Sequence, residues 1–242
     1  MLSTFNLLKN VRFKTIVHNV VMRSMSSMPS HNVGECPLVE ASGWPEREEP
    51  ELRASVLAGL ELRLDLVSPA EEEALLDELR PYLDKMRYEF DHWDNAIQGY
   101  RETERAEWRR DNLPALDRVR AAAAARSRSA LLPHVHVLDL HARGHIRAHV
   151  DSERFCGDAI AGLSLLSDAV MVLVPERAPR LELRLPLPRR SLYVLSGAAR
   201  YLCSHAVPAG GAGAAGGAGP AGGAAPRGRR VSLICRSQPN TK

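Results

Sequence analysis

The chain has 242 residues, 45% hydrophobic and 25% charged, which suits one globular domain with extensions. Its net charge of +3 comes from residues 1–30, which hold Lys9, Arg12, Lys14 and Arg23 and no acid; the remainder carries 28 basic and 29 acidic residues. That near-neutral remainder argues against a generic nucleic-acid binder, no apolar run reaches the ~18 residues of a membrane-spanning helix, and Cys36, Cys156, Cys203 and Cys235 form no C-x-x-C pair that would indicate a zinc site or a disulfide framework.

In chain order, residues 1–30 are rich in Ser and Asn, basic and free of acids until Glu35. That composition predicts a mitochondrial transit peptide and hence the mitochondrial matrix. Residues 31–58 carry Pro37, Pro45 and Pro50 and an acidic cluster from Glu46 to Glu51, and read as a linker or extension. Residues 59–133 read as a supporting region of helices and strands. Within it, Glu61 to Val67 alternates like a strand. Ser68-Pro69-Ala70-Glu71 is a helix start, with Ser as N-cap, Pro at the first helical position and Glu at the third. Leu75, Leu76, Leu79, Tyr82 and Leu83 continue it at helical spacing, so this helix should pack on a sheet. Tyr88 to Trp93 alternates again, and the aromatic residues between Tyr88 and Trp108 read chiefly as core. Leu116 to Arg126, with its run of alanines, predicts a second helix.

From 134 to 237 the chain is a succession of short strands: His134–Leu140, Ile146–Asp151, Ile160–Leu166, Val170–Val174, Leu181–Leu185, Ser191–Leu195, Ala199–Cys203 and Arg230–Arg236. Eight short strands between turn residues predict a mostly β fold, a double-stranded β-helix (jelly roll) core with supporting N-terminal helices. Residues 208–226 are almost wholly Gly and Ala and read as a mobile loop, because they cannot bury enough side chain to offset the entropy of ordering them. Residues 238–242 are a tail.

The chemistry centres on His149-Val150-Asp151. On a strand, residues i and i+2 share a face, so an imidazole and a carboxylate stand side by side. His205 can complete a 2-His-1-carboxylate triad, which leaves open positions on a non-haem iron(II). His134-x-His136 is a second i, i+2 pair of the kind metal sites use. No arginine pair or downstream partner comes with it, so His134, His136, His141 and His145 read as surface or strand-end histidines. On the last strand, Arg230 and Arg236 share one face, while Val231, Leu233 and Cys235 take the apolar one. Two inward arginines imply a dianionic guest, since a guanidinium binds carboxylate in a planar fork; 2-oxoglutarate is such a guest.

His149-x-Asp151, His205, and Arg230 with Arg236 six residues on resemble the AlkB-homologue family of iron(II)- and 2-oxoglutarate-dependent dioxygenases. Val135 to Leu140, Ile160 to Ser167, Arg227-Gly228-Arg229-Arg230 and Trp93 to Gly99 are similar to a mitochondrial member of that family. The resemblance covers roughly residues 60 to 237 apart from the Gly/Ala-rich insert, which makes the His205-to-Arg230 spacing long for the family. It implies Fe(II), 2-oxoglutarate and O2 as cofactors, with His149, Asp151 and His205 as catalytic metal ligands. It also implies that Tyr193 and Arg230 take the distal carboxylate, with Arg236 toward the keto-acid end. Many members carry a tyrosine where this chain has His141, so that co-substrate contact does not carry over. The nucleotide-gripping lid of the family's demethylases has no counterpart in residues 88–133. The resemblance therefore favours a mitochondrial protein substrate, and links to regulated necrosis and fatty-acid metabolism. Demethylation of mitochondrial RNA is the alternative reading, and a non-catalytic binding module with a residual iron site is the second. Duplex DNA is not an expected partner.

Overall fold

A computed structural model describes residues 31–32, 43–90, 96–209 and 227–239. The expected transit peptide, Trp93 to Asn95 and residues 210–226 of the Gly/Ala-rich loop lie outside the described residues. The elements run β1 (His31–Asn32), α1 (Pro50–Ala58), β2 (Leu60–Arg63), α2 (Pro69–Leu83) and β3 (Ile97–Arg105), then α3 (Leu113–Ala124) after a 3-10 turn. The strands of the core follow: β4 (Val135–His149), β5 (Ala159–Leu165), β6 (Ala169–Pro175), β7 (Leu183–Leu187) and β8 (Leu192–Ser196), the short α4 (Gly197–Tyr201), β9 (Cys203–Val207) and β10 (Arg230–Arg236).

The strands join in the order β1-β2-β8-β5-β10-β4-β9-β6-β7, with β3 on β4, and every pairing is antiparallel. The long strand β4 turns this ribbon into a jelly roll. Its first half, His136 to Leu140, pairs β10, whereas Ile146 and His149 pair Val207 and His205 of β9. A strand that changes neighbours midway must bend, and it bends where Gly144 meets Gly99. Gly99 has φ 65°, at a bulge in β3, and a Cβ on either glycine would press on the other's backbone.

Alternation sorts the side chains into two cores. On β10, Val231, Leu233 and Cys235 join Ala161, Leu163 and Leu165 of β5 and Leu192 and Val194 of β8 under the helices. There they meet Leu75, Leu79 and Leu83 of α2 and Leu116 and Val119 of α3. The opposite faces carry Ile234, Ile160, Tyr193 and Leu195 into the interior, with Leu138, Met171 and Val207. The helix start at Ser68 forms as the sequence predicts: Ser68 Oγ accepts from the Glu71 amide, and the Glu71 carboxylate accepts from the Ser68 amide. Two buried acids then dock α2. Glu72 accepts from Arg189 and the Leu166 amide, and Glu78 from Asn112, Arg105 and the Arg109 amide.

Several boundaries differ from the sequence reading. Part of the expected linker is helix α1, which buries Leu52 and Val56, one turn apart, beside a fully buried Trp44. Proline at its start is compatible with helix, so Pro50 marked an N-terminus rather than a break. The strand expected at Ala199–Cys203 is the helix α4, and the strand begins at Cys203. Gly197, at φ 50°, turns the chain out of β8, and Ala198-Ala199-Arg200 then favours helix. The two strands expected at His134–Leu140 and Ile146–Asp151 are one, ending at His149, so Asp151 lies just beyond its end.

Candidate active site

His149 closes β4 and His205 sits on β9 directly opposite, their ring centroids 4.4 Å apart. Asp151 curls back after the strand, with a carboxylate oxygen 3.4 Å from His149 Nε2. One ligand atom from each of His149, Asp151 and His205 lies within 4.8 Å of the others. The triad read from sequence is therefore assembled, by strand pairing for the histidines and by a turn for the carboxylate.

Ring orientation and protonation suit metal binding. His149 Nδ1 lies 2.9 Å from the Arg147 carbonyl, an acceptor only, so Nδ1 carries a proton and Nε2 is the nitrogen that faces Asp151 and is placed to take a metal. Burial holds His205 neutral, with its pKa pushed down to about 4. Burial of Asp151 opposes its ionisation, but the His149 hydrogen bond and the charge of Arg236 prevail and hold the carboxyl well below the usual range. A neutral His205, an anionic Asp151 and the His149 Nε2 are the donor types a divalent ion takes.

Behind the triad is an inner cavity lined by Tyr193, Arg230, Ser232 and Arg236, with Leu138, Ile146, Ile160, Met171, Val207 and Ile234 as apolar walls. Arg230 is 2% exposed and donates to Ser164 Oγ at 2.8 Å. Its Nε has no partner, nor does the buried Ser232 Oγ, and no described carboxylate forms a salt bridge with it. A buried guanidinium without a counter-ion costs several kcal/mol of desolvation, about what an anionic ligand would offset. The residues thus fit a dicarboxylate. Burial raises the Tyr193 pKa despite the charges of Arg230 and Arg236, so its hydroxyl stays a donor. Gly162 lies opposite Tyr193, where any side chain would run into the phenol ring.

Arg236 lies at the threshold of this cavity. Its Nε is 3.9 Å from Asp151, and one terminal nitrogen donates to His136 Nδ1 at 2.9 Å. His136, read from sequence as a strand-end histidine, is instead half-buried and belongs to the site's wall. Outside lies an open groove of about 480 Å³ that reaches His149 and Asp151, bordered by Glu102, Thr103, Glu104, Phe155 and Cys156.

Sequence reasoning missed Gly162, Ser164, Ser232 and Arg227. Gly162 and Ser164 were in view as interruptions of the apolar strand β5, since only a small or polar residue there leaves room for Tyr193 and Arg230. Arg227 donates to the carbonyls of His141 and Gly144, and Arg229 forms a two-pronged pair with the fully buried Asp139. Together they pin the start of β10 to the bend of β4.

Known proteins are similar to this chain in sequence and in fold. This chain is 50% identical over 173 residues to the alpha-ketoglutarate-dependent dioxygenase alkB homolog 7, mitochondrial, of Mus musculus, covering 72% of this chain and 76% of that one. It is 48% identical over 190 residues to the Bos taurus protein of the same name, covering 77% and 83%. Its fold matches the prolyl hydroxylase of Trichoplax adhaerens, solved with a hypoxia inducible factor peptide fragment, at a TM-score of 0.54 and 10% identity over 78% of this chain and 86% of that one. No family model matches.

Fold and site define an oxygenase of the iron(II)- and 2-oxoglutarate-dependent class, built on the double-stranded β-helix. At half identity across most of both chains, this chain belongs to the mitochondrial AlkB homolog 7 family.

Proposed function

We propose that His149, Asp151 and His205 hold the iron, and that Arg230 and Tyr193 hold the distal carboxylate of 2-oxoglutarate, with Arg236 nearer the keto-acid end. We further propose that the substrate is a mitochondrial protein hydroxylated in the matrix. The observation that carries the site assignment is the unpaired, buried guanidinium of Arg230 in the same cavity as the triad. When bound, iron with 2-oxoglutarate and O2 supplies an oxidant for a C–H bond while the co-substrate becomes succinate and CO2. The chain's part is placement. The Arg147 carbonyl keeps the His149 Nδ1 proton away from the metal side, Ser164 orients Arg230, and the Tyr193 hydroxyl donates alongside it. Leu138, Ile146, Ile160, Met171, Val207 and Ile234 surround these groups with apolar side chains.

Two features support a protein substrate. The groove carries Glu102 and an exposed Glu104 beside the exposed ring of Phe155, a wall that repels a phosphate backbone and accepts a peptide. The chain beyond residue 30 is also near neutral. Regulated necrosis and fatty-acid metabolism are part of this reading through the family resemblance alone. The test is a competition assay with the iron-loaded enzyme, 2-oxoglutarate and a mitochondrial extract at ~150 mM salt, where exposed charges are screened within about 8 Å. Peptide oxidation matched to succinate is the expected result. Stoichiometric demethylation of mitochondrial transfer RNA with no peptide oxidation would reverse the substrate class.

A further inference from the structure

His136 stands where the outer groove meets the inner cavity and lines both. Each of its ring nitrogens has a partner that can play only one role. Arg236 can only donate, so Nδ1, 2.9 Å from its terminal nitrogen, must be the acceptor. The Glu102 carboxylate can only accept, so Nε2, 2.8 Å away, must carry the proton. One form satisfies both, the neutral ring protonated on Nε2. The other neutral tautomer would set a proton against a guanidinium and a lone pair against a carboxylate.

We infer that His136 is a positioning residue: Glu102 locks its imidazole as the Nε2–H tautomer, and the bare Nδ1 holds the Arg236 fork between Asp151 and the co-substrate. This rests on the reading of the inner cavity as the 2-oxoglutarate site. The fork has three candidate partners: His136, Asp151 and the co-substrate. Without a fixed acceptor on the outer side, nothing keeps it from swinging wholly onto Asp151, 3.9 Å away, or out into the groove. The chain Glu102, His136, Arg236, Asp151 thus ties an edge strand that borders the groove to the metal ligand. A group bound against β3 is thereby in contact with the residue that orients the co-substrate.

The experiment compares His136→Asn with His136→Leu, which match in size while only Asn offers an acceptor near the Nδ1 position. 2-Oxoglutarate is titrated by calorimetry into the manganese-loaded full-length protein, and ring-nitrogen spectra of His136 are recorded on the metal-free protein. The Nε2–H form alone should be seen, Leu should weaken 2-oxoglutarate roughly tenfold at unchanged melting temperature, and Asn should recover most of the loss. An Nδ1–H or mixed tautomer, or equal affinities for Asn and Leu, would overturn the inference while leaving the site reading intact. If the unaltered protein itself bound no 2-oxoglutarate, the site reading would fall and take this inference with it.

Discussion

Replacing Arg230 with Met should move two quantities in opposite directions. Arg230 is 2% exposed, makes one side-chain hydrogen bond, to Ser164, and its Nε is buried without a partner. In the ligand-free protein it is a charge out of water without a carboxylate, which costs several kcal/mol even after relaxation. Met is of similar length, has no charge to desolvate and fills the space with a flexible thioether. The metal-free variant should therefore melt higher, by at least ~2 °C, since ~1 kcal/mol shifts a protein of this size by about 2–4 °C. Binding of 2-oxoglutarate should move the other way. Losing one partner of a buried ion pair costs about 3–5 kcal/mol, or roughly a hundred- to a few thousand-fold in Kd. Differential scanning fluorimetry reads the first quantity and calorimetry on the manganese-loaded protein the second. Affinity within threefold of the unaltered protein, or a lower melting temperature without ligand, would refute the reasoning that Arg230 waits for an anion.

Gly162→Ala should displace the Tyr193 ring and raise the KM for 2-oxoglutarate about tenfold with iron affinity unchanged, since the added methyl falls on the phenol; an unaltered KM would remove Tyr193 from the co-substrate site. Deleting Gly210 to Gly223 should leave melting temperature and turnover nearly unchanged. Val207 pairs with Ile146 and Arg227 grips the Gly144 carbonyl, so the five residues left, which reach about 17 Å, join two anchored ends; loss of iron binding would show that the loop positions His205. In metal-free protein, His205 has a folded pKa of about 4 against 6.5 when exposed. The unfolded chain therefore binds the extra proton between those values, and stability should fall as pH drops from about 6.5 to 4. His205→Gln should flatten that slope in urea titrations, and an unchanged slope would locate the titration elsewhere.

The residues of the candidate site were legible because their signals are local. His149-x-Asp151 is a tripeptide, Arg230 and Arg236 share a face by period two, and Ser68 to Glu71 carries its own capping pattern. The jelly roll followed from short alternating strands. What escaped was set by tertiary contact. Alternation continues through Gly144, so the union of two strands into β4 depended on β3 packing against the bend. Helix α1 buries only Leu52 and Val56, with Leu57 partly buried, too weak a pattern to stand out among prolines and acids. His136 looked like any strand-end histidine, because its partners Glu102 and Arg236 lie 34 and 100 residues away in sequence.

The central claim is that His149, Asp151 and His205 present one iron(II) to 2-oxoglutarate held by Arg230. Anaerobic titration of 2-oxoglutarate into the iron(II)-loaded protein tests it most directly, read by the visible charge-transfer band that keto-acid chelation of iron(II) produces. The band should saturate at one equivalent in the unaltered protein, vanish in His205→Ala, and need far more co-substrate in Arg230→Met. A saturating band that survives unchanged in His205→Ala, or none in the unaltered iron-loaded protein, would contradict it.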